Sequence, residues 1–303
     1  MATSLRANQH QLEREGLANA TARAVLAEWS KVNPDAVANS WVSLLPRVTA
    51  MVQAGQLHAA EGTHTFMREL LGPNAVLDAP EIEPAQFAST TPDGRNLMGV
   101  LARSIPTVLS FLGQGESLAS SMLRGATFLD FVVRTVVADT GRQADQAAMV
   151  ANRKVTSYIR VVEGGSCSRC LILAGREYGV SSGFLRHPRC HCTMEPVTRE
   201  HTPKPASPKT LFDRLSATQQ RKAFGEAGAK AINDGADMSD VVNARKAMDS
   251  VEMFGKKVQV TYVNTGSRRR KQPPRLTPEE IYKQSDGDRD HAIRLLRKNG
   301  YLR

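Results

Sequence analysis

The four cysteines of this chain fall within 26 residues, as Cys167-Ser-Arg-Cys170 and His187-Pro-Arg-Cys190-His191-Cys192. A C-x-x-C turn lets two thiolates reach one ion while backbone amides donate hydrogen bonds to the sulfurs, and a second close pair completes a tetrahedron. The chemistry expected is metal ligation, with one zinc per chain. Cys167, Cys170, Cys190 and Cys192 make a four-thiolate set. His187 is the alternative to one member of the second pair, and otherwise shapes the turn before Pro188. Four protein ligands leave no coordination position for water, so the zinc is expected to be structural rather than catalytic.

Two disulfides would use the same residues. The first thirty residues, however, carry Arg6, Glu13, Arg14, Glu15 and Arg23 and do not read as a secretory signal, so a reducing, intracellular setting is expected. A redox C-x-x-C would leave the second pair unexplained. The sequence contains no G-x-S-x-G elbow and no H-E-x-x-H pattern, and a cysteine nucleophile would have to be drawn from the metal set. A binding or assembly protein is therefore favoured over an enzyme.

A second chemistry is electrostatic. Residues 1–150 hold 11 Lys/Arg against 14 Asp/Glu and residues 151–303 hold 29 against 16, so the net +10 comes wholly from the C-terminal half. Such asymmetry points to an anionic partner, with nucleic acid first. The densest run, Arg268, Arg269, Arg270 and Lys271, follows a strand-like stretch and precedes Pro273-Pro274. It is the candidate DNA contact, and a solvated loop is the alternative. The longest apolar stretch, Phe128 to Val137, is cut by Asp130 and Arg134, well short of the ~18 apolar residues a membrane span needs. No membrane partner is expected.

The elements that must position these residues read as mainly α with a small α+β zinc-knuckle module. An apolar share of 41% with only 5% aromatics suits Ala- and Leu-rich helices better than a β-sandwich. Residues 1–85 are expected to form an N-terminal helical region, with Leu17, Ala20, Ala24 and Leu26 as core positions and Trp29 and Trp41 as packing anchors. Residues 86–155 form a second helical block through Leu97, Leu101, Ile105, Leu118, Met122, Phe128, Phe131 and Val132, with Pro106 bending or ending its first helix. Residues 156–200 form the knuckle, entered by a short strand at Ser157 to Val162.

A Pro-rich linker is expected at 201–210, followed by a basic C-terminal module at 211–303. There Ser216-Ala-Thr-Gln219 is a capping box opening a helix through Phe224, Ala227, Ala231 and Ile232. Ser239 caps a helix running through Val242 and Met248, and Lys257 to Val263 alternates as a half-buried strand with Val258, Val260 and Tyr262 inward. Thr277-Pro-Glu-Glu280 is a second capping box, and a last helix through Ile293 and Leu296 ends at Asn299-Gly300.

Cys-x-x-Cys, then Leu173-Ala-Gly175, then His187-Pro-Arg-Cys190-x-Cys192 resembles the signature of the phage Mu F-like family of minor capsid or head morphogenesis proteins. The resemblance covers roughly residues 150–300 and is best for the actinobacteriophage subgroup, through Phe224-Gly225, Gly235-Ala-Asp237 and Val241-Val-Asn-Ala-Arg245. It implies a virion protein present in few copies, in the head interior or near the portal, which meets portal and capsid proteins and, in some members, DNA. During assembly it would lie in the host cytoplasm. Some relatives are labelled capsid maturation proteases, which is the first alternative function. A zinc-supported nuclease is the second.

Overall fold

The computed structural model describes residues 5–76, 80–162, 166–183, 190, 192–246, 248–253, 255–262 and 274–302. His187, His191 and the run Arg268, Arg269, Arg270 and Lys271 lie outside the described residues. The chain divides into two compact units, Met1–Val161 with Gly175–Pro205, and Val162–Ala174 with Ala206–Arg303. Most of the described residues are helical and the sheets are small, which is the fold class read from the sequence.

In the first unit, α1 (Leu5–Trp29) and α2 (Val37–Leu71) are followed by the short α3 (Pro73–Val76), α4 (Leu97–Ala102), α5 (Ser104–Gly113) and the long α6 (Leu118–Ala151). Each helix of the α1, α2 and α6 trio packs on the other two. The reason is periodicity: Trp41, Leu45, Val48 and Val52 on α2 and Leu129, Val133 and Val136 on α6 recur at three- and four-residue steps and are buried together. Burying one large apolar side chain contributes about 1.5–3 kcal/mol, so each stripe outweighs weak helix propensity. Trp29 and Trp41 meet edge-to-face at 4.9 Å, as expected of packing anchors.

On α1 the stripe is not the expected one. Ala18, Ala22, Val25 and Trp29 are buried, Leu17 and Leu26 only flank the core, and Ala20 and Ala24 face outward. An Ala-rich helix satisfies the helical period in several phases, and its partners choose among them. Pro106 works slightly upstream of where it stands. It has no N–H for the carbonyl of Ala102, and the helix breaks there, with α5 restarting at Ser104. α6 ends at Ala151, and after Asn152 the chain enters β1 (Ser157–Val161). This strand lies between β2 (Glu177–Gly179) and β3 (Thr193–Val197), antiparallel to both.

The second unit holds the single turn α7 (Ser168–Leu171), then α8 (Pro208–Arg214), α9 (Ala217–Phe224), α10 (Glu226–Asn233) and α11 (Met238–Ala244). An antiparallel sheet of β4 (Met248–Met253), β5 (Lys256–Thr261) and β6 (Arg275–Leu276) follows, and α12 (Pro278–Ser285) and α13 (Arg289–Lys298) close the unit. The capping box at Ser216 and Gln219 is present in both directions. The helix it opens stops at Gly225 instead of running through Ile232. Gly225 has φ +72, and a Cβ there would overlap the Arg245 guanidinium, so the helix is cut in two where only glycine fits.

Other differences follow from local competition. Asp237, not Ser239, caps α11, because its carboxylate accepts the N–H groups of Ser239 and Asp240, and Met248 opens a strand rather than extending a helix. Val258 and Val260 are buried as expected, but Tyr262 lies past the end of β5 and is 49% exposed. Thr277 caps α12, while the Glu280 carboxylate accepts the Gln259 N–H at 3.1 Å and ties α12 to β5.

Candidate metal centre and its supporting network

β1 is buried along its whole length and sets Arg160 opposite Met194 and Val161 opposite Thr193 on β3. Cys190 and Cys192 of the first unit and Cys170 of the second are all buried, and all three thiols are free of disulfides. A tetrahedral site with Zn–S bonds of about 2.3 Å spaces its sulfurs roughly 3.8 Å apart. The Cys190 and Cys192 sulfurs of the first unit stand 3.2 Å apart, so this pair has the spacing of two ligands to one ion, and its donors are the soft ones that zinc and its neighbours take.

Thiolates gathered out of water need compensating charge, and Arg160 supplies it. Its Nε and Nη2 donate to Cys192 Sγ at 3.3 and 3.2 Å, and Nη2 reaches Cys190 Sγ at 3.9 Å. Arg142, on α6, holds the same segment by its backbone. Nε donates to the Cys192 carbonyl at 2.8 Å and Nη2 to the Cys190 carbonyl, while Nη1 pairs with Asp139 at 2.8 Å. One guanidinium thus faces the sulfurs and the other fixes the carbonyls of the residues that carry them. In the second unit Cys167 is exposed, and its carbonyl accepts the N–H groups of Cys170 and Leu171 at 3.0 Å.

Beneath this segment lies a polar cluster for which the sequence carries only weak signals. Asp145, fully buried on α6, accepts from His10 Nε2 at 2.9 and 3.2 Å, from Arg14 Nη1 at 2.6 Å and from Thr63 Oγ1 at 2.8 Å. Arg14 Nη2 continues to Thr193 Oγ1 on β3 at 2.8 Å, next to Cys192. Burial alone would push the Asp145 carboxyl up, but His10 and Arg14, with hydrogen bonds from His10 and Thr63, hold it well below the usual carboxylate range. Arg14 reaches α6 because residue 141 is glycine: a Cβ there would come within 2.7 Å of Arg14 Cδ and 3.0 Å of the Ala59 carbonyl.

A His–Asp pair resembles half of a catalytic triad. Here both members are sealed from solvent, His10 stacks face to face on Phe66 at 4.1 Å, and the carboxylate is spent on Arg14 and Thr63. The arrangement ties α1, α2, α6 and β3 together. Weak signals for these residues do exist: His10 and Arg14 are four apart on one helical face. Arg160 is a charge inside a strand-like run, and Asp145 lies on the phase of the apolar stripe of α6.

Fold and site together define a helical protein carrying a small antiparallel sheet, with buried cysteines just before its last strand. The family model described as VG15 protein matches residues 1–218, and the chain belongs to that phage-related family. The match takes in α1 to α8, all three strands of the first sheet and all four cysteines. None of the curated proteins or solved structures compared with the chain matches it.

Proposed function

We propose that this chain is a Mu F-like minor capsid protein acting in head morphogenesis near the portal. The observation that carries the reading is the phage-related family match over residues 1–218, joined by the cysteine signature that resembles the Mu F-like pattern. A structural zinc would be held by Cys170, Cys190 and Cys192, with Cys167 as the fourth ligand and His187 as the alternative. Such an ion would add folding free energy and fix the segment from Cys190 to Cys192 against β3.

The test is to purify particles from infected cells and measure their proteins by mass spectrometry with cross-linking. The expected result is this chain in few copies, cross-linked to a portal or capsid protein. Its absence from particles would overturn the reading. So would cleavage of the major capsid protein that occurs only when the chain is present, which would make it a maturation protease.

DNA contact is part of the same proposal, through Arg268, Arg269, Arg270 and Lys271. Lys and Arg in a loop bind phosphates by releasing counterions, so affinity should fall steeply with salt and depend little on sequence. Changing all four to Ala should weaken duplex binding in fluorescence anisotropy and flatten the salt slope by about 0.9 for each phosphate no longer neutralised. Unchanged binding at low salt would remove this run as the DNA-binding element.

A further inference from the structure

The helices α4, α5 and α6 of the first unit enclose an open groove of 510 Å³, lined by Val100, Pro106, Phe111, Phe128, Phe131 and Val132 and bounded by Arg95 and Arg103. Three of the chain's nine phenylalanines stand in this one solvent-open place. Phe131, which the helical pattern placed in the core, is 38% exposed, and Leu109 on α5 and Leu123 on α6 are more exposed still. Aromatic side chains gathered at one open place on a folded chain suit the apolar side chains of a partner.

We propose that this groove docks an acidic amphipathic helix of a partner protein. The apolar floor between helices suits side chains recurring at i, i+3 or i+4, and i+7. The charge at its edge selects the sign of the partner. Arg95 and Arg103 line the groove, Arg124 lies over the Phe111 ring at 4.9 Å, and no carboxylate is among the described lining residues. Arg95 shares its charge with Asp93 at 2.7 Å and Arg124 with Glu116 at 3.3 Å, which leaves the exposed Arg103 as the attraction for a carboxylate on the incoming helix.

Aromatic rings with arginines also suit single-stranded nucleic acid. That occupant is disfavoured because Arg95 and Arg103 are the only cations among the described lining residues and Arg95 is paired with Asp93, which makes no positive track for a phosphate backbone. The inference deepens the assembly reading, on which it rests for the source of the partner. Particle association decides that reading, and the following assay decides the groove.

The probe is a labelled model peptide of about four helical turns, with leucines on one face and glutamates beside them, titrated with the full chain in fluorescence anisotropy. Saturable binding is expected, weakened by salt and weakened about tenfold by Phe131→Ser and by Arg103→Glu. A lysine-for-glutamate version of the peptide should bind the wild-type chain poorly and the Arg103→Glu variant better. Phe131 and Arg103 are both exposed, so each variant should melt with the wild type. If Phe131→Ser destabilises the chain, Arg103→Glu with the two peptides still decides. No binding, equal binding of both peptides, indifference to Arg103→Glu, or equally tight Phe131-dependent binding of oligothymidine would each overturn the proposal.

Discussion

Asp145→Asn should lower the melting temperature of the chain by roughly 10 °C, the largest effect expected of any single polar substitution in the first unit. Asp145 is the acceptor on which His10, Arg14 and Thr63 converge, and it lies wholly out of water. Asparagine keeps the volume but presents an amide N–H to donors that need an acceptor. It also strands the Arg14 charge, and breaking a buried pair from one side costs about 3–5 kcal/mol. Glu69→Gln, which removes the exposed partner of Arg6, should cost under about 1 kcal/mol and serves as the contrast.

The pH dependence has a definite sign. The folded Asp145 carboxyl is held below its usual range, so its contribution is complete above the unfolded value of about 3.9 and is lost as pH falls through the folded one. Through the Asp145 carboxyl itself, the gap between wild type and Asp145→Asn should therefore narrow only as pH falls below about 4. Matching melting curves at pH 7 would show that the cluster does not hold the three helices and β3 together.

Cys190→Ser should remove the proposed zinc altogether, taking the freshly purified, reduced chain from about one equivalent to none by elemental analysis. Structural zinc in small modules binds with an apparent free energy of about 10–16 kcal/mol, which is also folding free energy, so its loss should expose the neighbouring backbone to limited proteolysis. Serine nearly matches cysteine in size, so the variant and chelated wild type should be cleaved alike. Protease sensitivity should rise in step with metal loss as chelator is titrated in.

The fourth ligand is settled by two further variants. Cys167→Ser abolishing zinc while His187→Ala retains most of it means four thiolates, and the reverse places His187 on the ion. A wild-type chain that carries no metal when purified under reducing conditions would sink the proposal, as would full retention of zinc by Cys190→Ser.

Some of this was legible in the residues alone, because the signals are local. Helix type follows from the spacing of apolar residues within a few turns, so the long helices, the Trp29–Trp41 anchor and β1 could be read directly. Capping is equally local, and Ser216 with Gln219 forms the expected box. The close spacing of Cys190 and Cys192 was equally local, and their sulfurs do stand side by side.

What only the tertiary structure decided involves partners far apart in the chain. The phase of α1 depends on which of its small residues meets α2 and α6, so Ala18 and Ala22 displace Ala20 and Ala24 from the core. That the Arg245 guanidinium lies against Gly225, where a φ of +72 ends α9, and that Phe131 is exposed beside the gap between α4, α5 and α6 are equally tertiary facts. Asp145 with His10 and Arg14 spans about 130 residues of sequence, and Arg142 with Cys192 spans 50. A buried charge must find its counter-charge wherever the fold brings one. Residue type states the need for a partner, and only the packing of helices and strands chooses which residue meets it.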